Sequence, residues 1–206
     1  TTLSNNEPPE SSPSSALSGD TAPHTDLPEA TLEALPSAMQ DAVSRGGWTA
    51  LMPVQARAIP YMLQGRDIMA QSRTGSGKTG AFLLPILERI GSDESGCKAL
   101  ILVPTRELAR QVVHEAEMLT GKSGIRVAAV YGGVSYKPQI KAFKSGAPLV
   151  IGTPGRILDH LLQRNLVLDD LEVLIFDEAD RMLSMGFYPD MRKVRSYLPD
   201  APRLTA

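Results

Sequence analysis

The chain has 206 residues, enough for one α/β domain, and its 42% hydrophobic and 21% charged residues are ordinary for a soluble globular protein. It contains no apolar run long enough to cross a bilayer, and no signal-peptide pattern opens it. The single cysteine, Cys97, excludes an internal disulfide framework and suits a reducing cytosol, so we expect a cytoplasmic protein.

Charge is distributed unevenly along the chain, although the formal net charge is only −2. The first 44 residues contain seven acidic residues and no Lys or Arg, which leaves 21 Lys and Arg against 16 acidic residues, a balance of +5, in the remainder. Residues 1–27 are also rich in Ser, Pro, Thr and Glu. Such a segment cannot bury enough apolar surface to offset its ordering entropy. We expect an acidic, disordered leader over residues 1–27 and one domain over residues 28–206.

Apolar residues at helical spacing predict a first helix that contains Leu32, Leu35, Met39 and Val43 and ends at Gly46-Gly47. A second helix is predicted over 53–63, and strand-like runs then alternate with helical patterns. The predicted strands are 67–70, 99–103, 126–130, 149–151 and 173–176, and the predicted helices are 81–87, 105–120, 137–144, 154–164, 189–197 and a turn near 181. This alternation indicates an α/β fold with a parallel sheet covered on both faces. The carboxyl ends of such strands lie along one edge.

A glycine-rich loop connects the first strand-like run to the helix that follows it. Its sequence, Ser72-Arg73-Thr74-Gly75-Ser76-Gly77-Lys78-Thr79, matches G-x-x-x-x-G-K-[ST] except at the first position, where Ser72 replaces Gly. The glycines let successive N–H groups point at phosphate oxygens, which the helix N-terminus also attracts. Lys78 offers a charge to the outer phosphates, and Thr79 offers a hydroxyl ligand to Mg²⁺. We interpret the loop as a binding site for a nucleoside triphosphate; the alternative is a Gly/Ser-rich surface turn.

Two carboxylates, Asp177 and Glu178, follow the last strand-like run, 173–176. They would lie on the same sheet edge as the glycine-rich loop, where Asp177 can hold Mg²⁺, partly through water, and Glu178 can orient or deprotonate an attacking water. The alternative is an acidic cluster that caps the next helix. The presence of Lys78 favours the catalytic interpretation.

Five motifs occur in an order that resembles the DEAD-box RNA helicases: Ser72 to Thr79, Pro104-Thr105-Arg106-Glu107-Leu108-Ala109, Gly132-Gly133, Thr153-Pro154-Gly155-Arg156 and Asp177-Glu178-Ala179-Asp180. The resemblance runs from about residue 29 to the last residue. It implies a RecA-like P-loop NTPase fold, ATP and Mg²⁺ as cofactors, and single-stranded or short duplex RNA as a partner. It also implies catalytic roles for Glu178, Lys78 and Asp177, and a role for Asp180 in coupling two lobes.

The resemblance further implies that three loops bind the sugar-phosphate backbone of RNA: Pro104 to Glu107, Gly132-Gly133 and Thr153 to Arg156. From the residues alone, Thr105 and Thr153 are expected helix N-caps with an arginine nearby, which favours phosphate. The alternative to RNA binding, for either of these two loops, is that the threonine only caps the helix and the loop binds no ligand. The acidic leader is either a solvated tail or a transient competitor of RNA.

The segment Gly47-Trp48-Thr49-Ala50-Leu51-Met52-Pro53-Val54-Gln55 looks like the family's adenine-reading segment, in which the glutamine pairs with the adenine edge. An amide suits that role because it offers one donor and one acceptor group. The alternatives are an exposed helical position for Gln55 and a core position for Trp48. No Phe, Tyr or Trp precedes Trp48, and Glu29 stands where the family carries its adenine-stacking aromatic. We therefore expect adenine recognition mainly through Gln55.

The family's Ser-Ala-Thr coupling motif would follow Arg203-Leu204-Thr205-Ala206, so the resemblance implies a second RecA-like lobe with an arginine finger. We interpret the chain as the N-terminal lobe of an ATP-dependent RNA helicase, with little or no activity on its own. The alternative, from another class, is a non-enzymatic RNA-binding or scaffolding module that retains the fold. Intact Lys78, Thr79, Asp177 and Glu178 favour the enzyme.

Overall fold

The computed structural model of the protein describes residues 26–91 and 95–199, and in these ranges four strands alternate with eight α-helices. The predicted leader lies outside them except for residues 26 and 27. The elements are α1 (Ser37–Arg45), α2 (Pro53–Leu63), α3 (Lys78–Arg89), β1 (Ala99–Leu102), α4 (Arg106–Thr120), β2 (Val127–Val130), α5 (Tyr136–Lys144), β3 (Leu149–Gly152), α6 (Pro154–Leu162), β4 (Val173–Phe176), α7 (Ala179–Ser184) and α8 (Tyr188–Arg195). Among the described residues, no helix combines the length and the hydropathy needed to cross a membrane.

The four strands form one parallel sheet in the order β2-β3-β1-β4. Leu100 of β1 pairs with Val150 of β3 and with Leu174 of β4, so the strands are in step across the sheet. Parallel neighbours require crossover connections, and helices supply them here. All four carboxyl ends therefore lie along one edge, as the sequence predicts.

Each face of the sheet has its own hydrophobic core, because successive strand residues point to opposite faces. Ala99 and Ile101 belong to the core that α1, α2, α3 and α4 cover, whereas Leu100 and Leu102 belong to the core under α5, α6, α7 and α8. All four are fully buried. A fully buried leucine contributes about 1.5–3 kcal/mol, so both layers stabilise the sheet strongly. The predicted α/β fold with helices on both faces is confirmed.

The run Asp67–Ala70 is not a strand, which corrects the prediction of a first strand there. It pairs with none of the four strands, and Met69 is 99% exposed. A cleft lies between this segment and the end of β4, which is an edge strand of the sheet. The apolar pattern is present, but a strand also needs a hydrogen-bonded neighbour.

The first helix begins later than its apolar pattern predicts. Residues Leu32–Ala34 form a separate 3₁₀ turn, and α1 begins at Ser37. The cause is Pro36, because Leu35 is forced into an extended conformation with ψ of 151°. The predicted end of this helix at Gly46 is confirmed.

Candidate nucleotide and RNA sites

The carboxyl ends of the strands place four loops side by side on one sheet edge. The residues that follow β1, β2, β3 and β4 are Val103, Tyr131, Thr153 and Asp177. The parallel ladder continues one residue beyond β4, because the Asp177 N–H donates to the Leu102 carbonyl at 3.0 Å. The backbone of Asp177 is thus fixed by the sheet, and its side chain emerges where the loops meet.

The glycine-rich loop turns sharply before α3. Gly75 and Gly77 have φ of 78° and 87°, in the left-handed region that favours glycine. The Lys78 ammonium donates to the Ser72 carbonyl at 2.6 Å and to the Arg73 carbonyl at 3.0 Å. These neutral acceptors bind an ammonium less strongly than a phosphate does. Lys78 is therefore folded over the loop in a position to exchange carbonyls for phosphate oxygens.

The serine that departs from the loop pattern is part of the loop's own structure. The hydroxyls of Ser72 and Ser76 are hydrogen-bonded to each other across the turn. Thr79 is half-buried in the first turn of α3, directly after Lys78. The loop and the helix start are therefore continuous, as the motif predicts.

Gln55 is buried, with 2% of its surface exposed, so the alternative of an exposed helical residue is wrong. Its Oε1 accepts from the Met52 N–H at 2.8 Å, and its Nε2 donates to the Gly77 carbonyl at 3.1 Å. Trp48 packs beside it, against Gly80 of α3 and the core, in line with the core interpretation. Gln55 thus joins α2 to the glycine-rich loop, which we also call the phosphate loop. Its contact with adenine stays a prediction.

Glu29 lies near α2 and forms an ion pair with Arg57 at 3.9 Å. The two side chains are 67% and 77% exposed, so the pair contributes little to stability. Glu29 and Arg57 line a groove of about 1140 Å³ together with Tyr61. Recognition of adenine without the family's aromatic stays a prediction.

Asp177 is a buried carboxylate with 8% of its surface exposed. Burial raises the pKa of its carboxyl, the Glu178 carboxylate raises it further, and the Lys78 ammonium lowers it. The last effect places the phosphate-loop lysine and this carboxylate in one electrostatic environment. A buried carboxylate beside a second acid favours an additional cation nearby.

Glu178 has φ of 52° and ψ of 47°, a left-handed conformation. Among the other described non-glycine residues only Arg164 has a positive φ. Glu178 makes no side-chain capping bond to α7, so the helix-capping alternative is not observed for it. Its carboxylate lies 3.1 Å from the Arg181 guanidinium and is 28% exposed. Backbone strain of this kind concentrates at functional sites, which supports a catalytic assignment.

A cleft of about 1000 Å³ separates the phosphate loop from the end of β4. One wall is formed by residues 67–72, and the other by residues 175–181. Its volume is in the range of small-molecule sites. The predicted site residues that line it together are Ser72, Thr74, Lys78, Asp177, Glu178 and Asp180.

The donor groups of this cleft fit a Mg²⁺ ion that arrives with nucleotide. Among the described residues there is no group of three or more His, Cys, Asp and Glu side chains able to hold a metal ion. Asp177 and Glu178 offer two carboxylates in the cleft, and Thr79, which follows Lys78 in the first turn of α3, offers a hydroxyl. Mg²⁺ is commonly bound through one or two carboxylates with phosphates and waters completing the shell.

The three predicted RNA-binding loops meet around the Gly132-Gly133 turn. The Arg106 Nη1 lies 3.0 Å from the position that a Cβ of Gly133 would take. On the other side, the Arg156 Nη1 donates to the Val134 carbonyl at 3.1 Å. The arginine side chains are 50% and 10% exposed, respectively. Two guanidinium groups therefore flank one exposed turn, an arrangement that attracts phosphate.

The two predicted N-caps differ in the structure. The Thr105 hydroxyl accepts from the Leu108 N–H at 3.1 Å, which confirms the first cap. Thr153 stands at the N-cap position of α6, as predicted, but its side chain makes no capping bond. Its own N–H is held by the sheet, since it donates to the Val130 carbonyl at 3.0 Å. The other predicted residues of these loops are Pro104, Glu107, Pro154 and Gly155, of which the two prolines are buried.

Sequence reasoning missed two side chains next to Arg156. Its guanidinium carbon lies 4.0 Å from the centre of the Tyr136 ring, and the Tyr136 hydroxyl donates to Asp159 Oδ2 at 2.9 Å. The available signals were positional: Tyr136 opens the helix after the Gly-Gly turn, and Asp159 lies three residues after Arg156 on α6. Spacing alone does not show that the two helices meet.

The sheet, the glycine-rich loop before α3 and the acid pair after β4 define a RecA-like P-loop domain. Residues 52–206 match the DEAD/DEAH box helicase family. The chain therefore belongs to the DEAD/DEAH box helicase family, as the order of its motifs predicts.

Relatives with curated names include the DEAD-box ATP-dependent RNA helicase CshA of Streptococcus pneumoniae serotype 4, which is 46% identical over 158 residues. The ATP-dependent RNA helicase CshA of Listeria monocytogenes is 45% identical over 157 residues. These alignments cover 77% and 76% of this chain, but the chain spans only 30% of the length of either relative.

Two solved structures share the fold. A DEAD box protein from the hyperthermophile Methanococcus jannaschii is 38% identical, with a TM-score of 0.80 over 86% of this chain and 49% of the other. A hypothetical ATP-dependent RNA helicase from Sulfolobus tokodaii is 37% identical, with a TM-score of 0.75 over 83% of this chain and 49% of the other. The RecA-like fold is thus confirmed.

Proposed function

We propose that this chain is the ATP- and RNA-binding N-terminal lobe of a cytoplasmic DEAD-box helicase that remodels or unwinds short RNA duplexes. One observation carries the proposal. The phosphate loop and the acid pair line one cleft, and on the same sheet edge Arg106 and Arg156 flank the Gly132-Gly133 turn. The CshA relatives are named ATP-dependent RNA helicases. The partner of this lobe is a second RecA-like lobe of the same full-length protein.

ATP binds with its phosphates against the glycine-rich loop. Gly75 and Gly77 direct backbone N–H groups at the phosphates, and the N-terminus of α3 adds its dipole. Lys78 leaves the carbonyls of Ser72 and Arg73 for the outer phosphates, because an ionised acceptor bonds an ammonium more strongly. The amide of Gln55, which already contacts the loop through Gly77, reads the adenine edge.

Hydrolysis requires a water in line with the outer phosphate, and Glu178 orients or deprotonates it. Glu178 lines the cleft at its strained backbone position, and its carboxylate lies 3.1 Å from the Arg181 guanidinium. Asp177 and Thr79 would hold Mg²⁺, partly through water, and the ion would neutralise phosphate charge. Asp180, exposed in the first turn of α7, couples this cleft to the second lobe.

RNA binds along the neighbouring loops through its sugar-phosphate backbone. Arg106 supplies an exposed charge, the Gly132-Gly133 turn lets the strand approach the backbone closely, and the loop that ends in Arg156 supplies a helix N-terminus. Such contacts grip the strand without reading its bases. Binding is therefore sequence-tolerant and weakens as salt increases.

The experiment compares Lys78→Ala and Glu178→Gln in the full-length protein. Lys78→Ala should weaken ATP binding about 10-fold or more, because a charge-assisted contact is lost. Glu178→Gln should bind ATP normally but lose RNA-stimulated hydrolysis by a factor on the order of 100 or more, because only water activation is removed. Binding is measured with a fluorescent ATP analogue and hydrolysis by phosphate release.

Lys122→Ala is the matched control, since Lys122 is an exposed lysine in the turn after α4, at the other end of that helix from Arg106. It should leave both quantities unchanged. Equal loss of ATP binding in the two site variants would contradict the separate roles of Lys78 and Glu178. Full-length protein that binds ATP and RNA without turnover would instead favour a scaffolding module.

Residues 1–206 alone should bind nucleotide but show neither RNA-stimulated hydrolysis nor duplex unwinding. An arginine finger contributes about 10³–10⁵ in rate to such reactions, and the proposal assigns that group to the second lobe. Water also remains on the open side of the nucleotide, where it weakens electrostatic contacts. Robust RNA-stimulated turnover by this chain alone would show that one lobe carries a complete active site.

A further inference from the structure

Behind the Gly132-Gly133 turn, four side chains of α5 and α6 form a continuous stack. The Arg156 guanidinium carbon lies 4.0 Å from the centroid of the Tyr136 ring. Tyr136 also meets the His160 ring edge to face, with centroids 5.0 Å apart and planes at 63°. Phe143 contacts the same imidazole at 5.0 Å and 83°. The stack therefore alternates between the two helices and ends at the arginine.

His160 fixes the base of this stack. It is fully buried, and its Nε2 lies 2.8 Å from Gln139 Oε1. Gln139 uses its own amide N–H to bond the Tyr131 carbonyl at 3.2 Å, so its oxygen is the acceptor and His160 donates from Nε2. The other ring nitrogen then accepts from Asn165 at 3.4 Å. With both nitrogens bonded, the imidazole is a fixed surface for the Tyr136 ring.

Arg156 is held at three points. Its guanidinium lies over Tyr136, its Nε is 3.8 Å from Asp159 Oδ2, and its Nη1 donates to the Val134 carbonyl at 3.1 Å. The Tyr136 hydroxyl donates to the same Asp159 oxygen at 2.9 Å. The Arg156 side chain is only 10% exposed, against 50% for Arg106. Of the two guanidinium groups beside the turn, that of Arg106 is half-exposed and pairs with the neighbouring Glu107 carboxylate at 3.3 Å, whereas that of Arg156 is held at three points and nearly buried.

We propose that Tyr136 is a positioning residue for RNA binding, whose ring holds Arg156 where it braces the Gly132–Val134 turn beside the RNA path. The inference rests on the proposed function, because it needs RNA at this turn. An arginine side chain has about 2 kcal/mol of rotamer entropy, and a guanidinium that is already fixed loses less of it on binding. Removal of the ring therefore weakens RNA binding without removing a charge.

Three variants of the full-length protein separate the ring from the hydroxyl. Tyr136→Leu removes both, Tyr136→Phe keeps the ring, and Tyr61→Leu is the matched control, since Tyr61 lies on α2 and bonds Asp26. Affinity for a fluorescein-labelled single-stranded oligouridylate is measured by anisotropy at low and high salt. Urea unfolding reports stability for each. In the absence of RNA, NMR of the arginine side-chain N–H groups measures the chemical-shift change that the Tyr136 ring current causes at Arg156.

Tyr136→Leu should weaken RNA binding about 3- to 10-fold, the range of a partly desolvated cation–π contact. Tyr136→Phe and Tyr61→Leu should stay within about 2-fold of the wild type, because both retain the ring under Arg156. The ring-current shift should persist in Tyr136→Phe and vanish in Tyr136→Leu. In an Arg156→Ala background Tyr136→Leu should cause no further loss, since the group it positions is gone.

A merely structural role for Tyr136 predicts the opposite pattern. The leucine variant would then lose stability yet keep its RNA affinity, or lose the same affinity with and without Arg156, and either result overturns the proposal. Arg106→Ala tests the proposed function separately. If wild-type protein fails to bind the RNA, or Arg106→Ala leaves its affinity and salt dependence unchanged, the proposed RNA site is wrong and Tyr136 has no RNA to position.

Discussion

Gly152, the last residue of β3, should not tolerate even a methyl group. A Cβ there would lie 2.9 Å from the Val130 Cβ and 3.0 Å from the Ile157 Cδ1, and closer still to the Val130 carbonyl oxygen. The oxygen is backbone, and it accepts the Thr153 N–H at 3.0 Å. It therefore cannot move aside without breaking the ladder between β2 and β3.

The free energy of unfolding should fall by about 2 kcal/mol in Gly152→Ala. Overpacking of a dense site costs about 1–3 kcal/mol. Loss of the Thr153–Val130 hydrogen bond adds about 1 kcal/mol, and the stiffer unfolded chain returns about 0.4–1 kcal/mol. Because Tyr131 and the Gly132-Gly133 turn follow Val130 directly in the chain, a displacement of the Val130 carbonyl should also displace this turn and weaken RNA binding.

Urea unfolding followed by circular dichroism measures this loss, with Gly132→Ala as the control. Gly132 lies on the same sheet edge, but a Cβ there would meet nothing within 4 Å. The control should stay within about 0.5 kcal/mol of the wild type. If Gly152→Ala were as stable as the control at an unchanged m-value, the close approach of β2 and β3 would be wrong.

Two further predictions concern the interior of the site. Asp177→Asn should raise the free energy of unfolding at pH 7, because burial and Glu178 raise the pKa of Asp177 and its ionisation therefore opposes folding. This gain should shrink as the pH falls through the raised pKa and vanish below the ordinary value of 3.8, which urea unfolding across that pH range would check. Gly80→Ala should lower the free energy of unfolding by about 1–2 kcal/mol in the same assay, because the added methyl group would crowd Trp48 and Gln55, which outweighs the better helix propensity of alanine. Trp48→Leu in the Gly80→Ala background should restore part of the loss, and a double variant whose two effects simply add would rule out the contact.

The apolar runs predicted β1 to β4 to within about one residue, because strands buried on both faces leave a continuous pattern. The same pattern failed at residues 67–70, where Ile68, Met69 and Ala70 are apolar but the segment joins no sheet. Pairing depends on neighbours distant in the chain, which a local pattern does not report. At Pro36, by contrast, a local rule would have been sufficient. The residue before a proline avoids the helical conformation, so the rule places the start of α1 after Leu35, as observed.

The residues of the candidate nucleotide site could be named from the sequence, but their geometry could not. The motif identified Lys78 and the acid pair, and the structure brings them to one cleft. The left-handed backbone of Glu178 and the burial of Gln55 are set by tertiary packing, so no spacing rule reveals them. The ring of Tyr136 under Arg156 likewise depends on how α5 and α6 meet.

The left-handed conformation of Glu178 has a consequence for protein engineering. A non-glycine residue there carries a strain on the order of 1 kcal/mol, which glycine would relieve and asparagine would reduce. Selection of this domain for thermal tolerance alone would therefore enrich glycine or asparagine at position 178. The survivors would be more heat-resistant and would have lost the carboxylate to which we assign water activation, so a screen for robustness must be paired with an activity screen of the full-length protein.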